Sequence, residues 1–108
     1  MVRGTTPDYV LTLEGIDLTG KTVLVTIKQQ LRQMTLTGDR LSISTEAEGS
    51  AVAFRLTQEE TLRLSEGTAE VQVRYIGSDN LAWATEIGKI DVKRVLLNEV
   101  IHDADNPA

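Results

Sequence analysis

Cysteine is absent from the 108 residues, and His102 is the only histidine. That list cannot supply a zinc site, a thiol nucleophile or a disulfide framework. The lack of cysteine is neutral about compartment, with a cytosolic setting the default expectation. Aromatic residues are scarce: one tryptophan, two tyrosines and one phenylalanine. A broad carbohydrate platform is therefore not expected. Apolar runs are only a few residues long, too short to span a membrane. The start, "MVRGTTPDY", carries one arginine and no apolar core of a secretory signal. Basic residues are outnumbered, eleven against sixteen acidic ones, for a net charge of −5. Nucleic acid needs a basic face and is not expected as the main partner.

What is present is alternation. The dominant period is two. Tyr9, Leu11 and Leu13 share one face, as do Val23, Val25 and Ile27. The same holds for Met34 with Leu36, Leu41 with Ile43, and Val52, Phe54 and Leu56. Ala69, Val71, Val73 and Tyr75 alternate with Glu70, Gln72 and Arg74. Leu81, Trp83 and Ile87 extend the inward set, and Ile90 and Val92 close it. Half-buried antiparallel strands alternate in this way because successive side chains point to opposite faces. A chain of this length buries enough surface for a core without a metal or a disulfide. The expectation is an all-β, Ig-like antiparallel β-sandwich of about seven to eight strands, with a one-turn helix near residues 58–62. A small barrel is the alternative architecture. The organisation reads as an N-terminal arm at 1–7, the sandwich at 8–95, and a C-terminal segment with an acidic tail at 96–108.

Turn chemistry refines this picture. "LTGD" predicts a hairpin joining Met34–Leu36 to Leu41–Ile43, and "GSDN" predicts another between Tyr75 and Leu81. Trp83 and Ile87 are odd-numbered, whereas Ile90 and Val92 are even. A β-bulge at Gly88 would switch the faces and keep both sets inward, with a strand break and a separate strand at 89–95 as the alternative. The stretch "VLLNEVI" lacks sheet alternation and reads as a short helix or a docked extended segment.

"LTQEETLRLSEGTAEVQVRY" places an acidic helical turn between two strands. Thr57 and Glu60 have the capping-box spacing, and the first turn favours the negative charge of Glu59 and Glu60. Leu62 and Leu64 then cover the end of the sandwich, and Gly67 lets the chain turn into the next strand. Capping accounts for every residue here. Adjacent glutamates on one turn do not face each other across a substrate as a catalytic pair must. His102 with Asp103 and Asp105 sketches a metal site or an Asp–His pair, but a histidine in a polar tail is ordinarily solvated. No serine has nucleophile-elbow spacing, "GSDN" lacks calcium-loop spacing, and the dispersed glycines form no phosphate loop. Trp83 with Tyr75 could present a stacking surface, although a tryptophan within an alternating strand is more often core. No catalytic residue, metal or cofactor is expected, and no enzyme.

"VRGTTPDYVLTL" resembles the opening of a family of small proteins encoded by phages and prophages of Gram-positive gut bacteria. The second half, from "FRLTQEETLRLSEG" to "LLNEVI", resembles that family's second half. The similarity covers nearly the whole chain and is strongest at Arg3–Pro7, Leu56–Leu62, Val71–Arg74 and Asn98–Val100. "LEGIDLTG" departs from the family at the first loop, where relatives often carry a second proline. The strand–"LTxExT"–strand layout is also distantly similar to the N-terminal domain of phage baseplate upper proteins. The resemblance implies a non-enzymatic structural or adaptor protein, associated with the tail or baseplate. It would act through contacts with other phage structural proteins or with itself, as a homo-oligomer, without nucleic acid or membrane. Its place would be the virion, or the host cytoplasm during assembly. Arg3, Thr5, Thr6, Leu97, Asn98 and Val100 match the family outside any alternating strand and are the expected partner contacts. Thr57, Glu60, Gly67, Trp83 and Gly88 are the expected structural residues. The alternative is an accessory phage protein, outside the virion, that binds a host protein.

Overall fold

Alternation is converted into two antiparallel sheets in the computed structural model, which describes residues 1–103. The strands are β1 (Asp8–Glu14), β2 (Thr22–Gln29), β3 (Arg32–Thr37), β4 (Leu41–Glu46), β5 (Gly49–Arg55), β6 (Gly67–Ile76), β7 (Ala82–Ala84) and β8 (Gly88–Val92). One helix, α1 (Gln58–Leu62), joins β5 to β6. The first sheet has the order β1-β5-β4; the second has β3-β2-β6-β7, with β8 also paired to β6. Counting β7 and β8 as one broken final strand, this is the immunoglobulin strand order without its first strand and with an added strand beside β2. The sandwich expectation therefore holds.

The core lies between the sheets. In β2, Val23, Val25 and Ile27 are buried and alternate with half-buried or exposed neighbours. β6 repeats the pattern with Ala69, Val71, Val73 and Tyr75, and β5 supplies Val52 and Phe54 from the facing sheet. Val25, Ile27, Val52, Leu56 and Leu64 are completely enclosed. Each such side chain contributes roughly 1.5–3 kcal/mol relative to exposure.

Three sequence expectations are corrected. The hairpin predicted between Met34–Leu36 and Leu41–Ile43 does not form, because β3 and β4 belong to different sheets. A 3-10 turn at Gly38–Arg40 carries the chain across the sandwich instead. β3 and β4 belong instead to the hairpins β2–β3, through Gln30 and Leu31, and β4–β5, through Ala47 and Glu48. Gln30 takes the left-handed conformation (φ 53°) that glycine usually supplies, so the β2–β3 turn carries no compositional signal.

The second correction concerns Leu81, Trp83 and Ile87, expected inside. All three are exposed, Trp83 by 45%. Trp83 lies directly across from Tyr75 and stacks on it, with centroids 5.7 Å apart. Ile43 is likewise exposed on the edge strand β4.

Third, the faces switch through a strand break rather than a bulge at Gly88: β7 stops at Ala84, and a separate strand, β8, runs Gly88–Val92. Ala84 is opposite Arg74 and Gly88 is opposite Val71, so residues 85–87 face only residues 72–73. Thr85 fills the gap: its amide donates to the Val73 carbonyl (2.9 Å), and its hydroxyl accepts from the Val73 amide (3.1 Å). Gly88 opens β8, where an added Cβ would come within 3.3 Å of the Val71 side chain. The hairpin at "GSDN" forms as expected, with Ile76 opposite Ala82 and Asn80 left-handed (φ 67°).

The strand directions sort the loops into two ends. One end holds the 15–21 loop, the Ala47–Glu48 turn and the Gly77–Leu81 turn. The other holds the N-terminal arm, the β2–β3 turn, α1 and the segment after β8. At the first end Ser50, 3% exposed, accepts from the Leu18 amide (3.1 Å) and donates to the Ile16 carbonyl (2.7 Å). That seats Leu18 in the core.

Candidate functional site

Five residues are too few for a helix to persist by propensity alone. α1 forms because side chains satisfy its free backbone groups. The Thr57 hydroxyl accepts from the Glu60 amide (3.1 Å), and Glu60 Oε1 accepts from the Thr57 amide (2.8 Å). The capping box read from the sequence is therefore present. The structure adds Arg40, whose guanidinium grips both carboxylate oxygens of Glu60 at 2.6 and 3.0 Å. Burial alone would raise the Glu60 pKa. The Arg40 hydrogen bonds and the Thr57 amide outweigh it and hold the carboxyl below its ordinary value of 4.5. The ionised carboxylate has no proton to donate, and three of its acceptor positions are taken by Arg40 and the Thr57 amide. Glu60 is structural, and Glu59 lies beside it on the exposed side.

The same turn fastens the N-terminal arm and the segment after β8. Thr61 is buried, and its hydroxyl donates to the Thr5 carbonyl at 3.0 Å. Arg3 donates through Nε to the Leu64 carbonyl and through Nη2 to the Leu62 carbonyl (2.7 Å), closing the C-terminal end of α1. Arg3 Nη2 also donates to Asn98 Oδ1 at 2.8 Å. Further along, the Gln58 side chain pairs with the Ile101 backbone through two bonds, 2.8 and 3.0 Å. The arm itself adds a short parallel bridge, Val2 beside Lys93, with bonds of 2.7 and 3.0 Å.

The expected contact residues are thus redistributed. Arg3 is committed to α1, and it also donates to the exposed Asn98. The Thr5 hydroxyl donates to Val2 within its own arm. Val100 is half-buried and shares a surface groove with Thr6 and Gln58. Only Thr6 and Leu97 of the set remain exposed without a role in fastening. Arg3–Pro7, Leu56–Leu62 and Asn98–Val100, which are distant in sequence, meet around α1. The docked extended segment is the correct reading of "VLLNEVI", since no helix forms there.

Sequence reasoning missed two partners. Gln29, 7% exposed at the end of β2, holds Ser65 by an amide pair of 2.6 and 2.7 Å. Arg40, which holds Glu60 from the 3-10 turn, is the second. A buried glutamine at an alternating inward position was the available signal for the first; nothing local marks the second. Gly67 takes φ +131°, so the turn into β6 does depend on it.

Among the described residues, no group of three or more His, Cys, Asp or Glu side chains could hold a metal ion. Asp105, proposed beside His102 and Asp103, lies outside the described residues with the rest of the tail beyond residue 103. Among the described residues, no helix is long and apolar enough to cross a membrane. No protein-family model matches the sequence, and no curated protein is significantly similar to it.

Proposed function

We propose that this protein is a non-enzymatic structural or adaptor module of a phage particle, tail- or baseplate-associated, acting through protein–protein contacts made at the α1 end. The observation that carries this reading is the state of the segment after β8. It is fixed in place by polar bonds from Arg3 and Gln58, yet it presents Leu96, Leu97 and Ile101 to solvent, 92%, 54% and 57% exposed. A segment held rigidly with its apolar side chains outward is preorganised for a partner surface and loses little entropy on docking. The resemblance to phage proteins supplies the particle as the setting. Two aspects of the site support a non-catalytic role: Glu60 is consumed by Arg40 and Thr57, and His102 sits at the exposed end of the docked segment.

Proteomics of purified particles tests this reading. The expected result is the protein at a fixed ratio to other tail proteins. Its absence from particles, together with stoichiometric recovery of one host protein in a pull-down, would support the accessory-protein alternative instead.

A further inference from the structure

Although the chain is acidic, its arginines are not evenly spread. Arg3, Arg32, Arg63 and Arg94 line a single groove of about 810 Å³ at the α1 end. They come from four different elements: the arm, the start of β3, the end of α1 and the segment after β8. Among the described residues, Glu66 is the sole acidic one lining it. Arg3 is used up on α1, and Arg32 donates to the Ser65 hydroxyl (2.5 Å). Arg63 and Arg94 are exposed, and neither guanidinium has an ion-pair partner among the described residues. Beside them stands Leu31, fully exposed at the tip of the β2–β3 turn, with Met34 and Leu62 along the wall.

We infer that this groove binds an acidic peptide segment of a partner protein, with carboxylates on Arg63 and Arg94 and an apolar side chain against Leu31 and Leu62. Planar guanidiniums favour bidentate carboxylate or phosphate. Three observations select the peptide. None of the chain's four aromatic residues lines the groove, so it offers no stacking platform for bases. Leu31, Met34 and Leu62 set an aliphatic strip among its polar lining, which suits peptide side chains rather than a sugar–phosphate backbone. The overall charge of −5 opposes a long polyanion but not a short segment within a Debye length of the arginines. The inference rests on the reading of the α1 end as a contact surface. It is tested apart from the particle, since absence from particles would remove the phage role and leave peptide binding intact.

The test is fluorescence anisotropy with a labelled acetyl-Leu-Glu-Glu-Leu-Glu-Glu peptide and the full chain at low salt. Saturable binding is expected. The double variant Arg63→Glu/Arg94→Glu should weaken it by about tenfold or more, and Leu31→Ser by a few-fold. Arg63→Glu alone should weaken it several-fold, whereas Arg74→Glu, an equal change of charge on the outer face of β6, should leave it within about twofold. All these positions are exposed, so thermal melts should show the variants folded. No saturable binding, an equal loss in Arg74→Glu, or tighter binding of a single-stranded oligothymidylate would each overturn the inference.

Discussion

Replacing Glu60 by glutamine tests the stapling of α1 directly. The carboxylate accepts two bonds from Arg40 and one from the Thr57 amide, and its side chain is only 11% exposed. Glutamine keeps an oxygen for Thr57 but turns an amide N–H toward Arg40, donor against donor. Bonds to charged groups contribute about 1.5–3 kcal/mol. Arg40 is 41% exposed, and water screens its share, which places the expected cost near 2 kcal/mol. For a domain of this size that lowers the melting temperature by roughly 8–12 °C. A double-mutant cycle with Arg40→Met should give a coupling energy of about 1 kcal/mol or more. The pH dependence has a definite sign. The folded pKa of Glu60 lies below its ordinary value of 4.5, so its stabilisation is complete above that value and is lost as pH falls through the folded pKa. The gap between wild type and Glu60→Gln, measured by urea denaturation, should be widest near pH ~6 and narrow toward pH ~3. A variant as stable as wild type at neutral pH, or a cycle with no coupling, would refute the reasoning.

Arg3→Met should cost about 2 kcal/mol, since it strips donors from two carbonyls at the end of α1. Hydrogen exchange should rise in the arm and around Asn98 while β2 and β6 stay protected. Gly49→Ala should cost about 3 kcal/mol or more, because the position has φ +144° and a Cβ there would lie 2.3 Å from the Leu13 carbonyl oxygen. Gly20→Ala, also left-handed but with open space around it, should cost only about 1–2 kcal/mol in the same melts. Trp83 is the only tryptophan, so its fluorescence in the native state should be readily quenched by iodide. Protection from quenching would mean that it is core after all.

The sheets were legible in the sequence because burial on one face writes itself as alternation. Val23, Val25 and Ile27, or Val71 and Val73, could hardly be placed otherwise. The capping box was legible because both partners lie within one turn. What escaped was non-local. Arg40 reaches Glu60 across twenty positions, and Arg3 reaches Asn98 across ninety-five. No spacing rule joins such pairs. The β3–β4 hairpin was misread because glycine in "LTGD" signals a turn without saying whether the chain returns within one sheet or crosses to the other. Trp83 was misplaced for a similar reason. Its inward parity is correct, since it lies across from Tyr75, but parity does not reveal where the facing sheet stops. The segments that carry the expected contact residues gather at one end, where Arg3 also bonds α1 and Asn98.

We propose that the α1 end is the surface through which this protein meets its partners. Amine-directed cross-linking of purified particles, read by mass spectrometry, tests it most directly. The Met1 amine and Lys93 lie at the α1 end, where the arm pairs with the chain after β8, and Lys21 marks the opposite end. Cross-links to another particle protein are expected from Met1 and Lys93 and none from Lys21. Cross-links from Lys21 alone would contradict it.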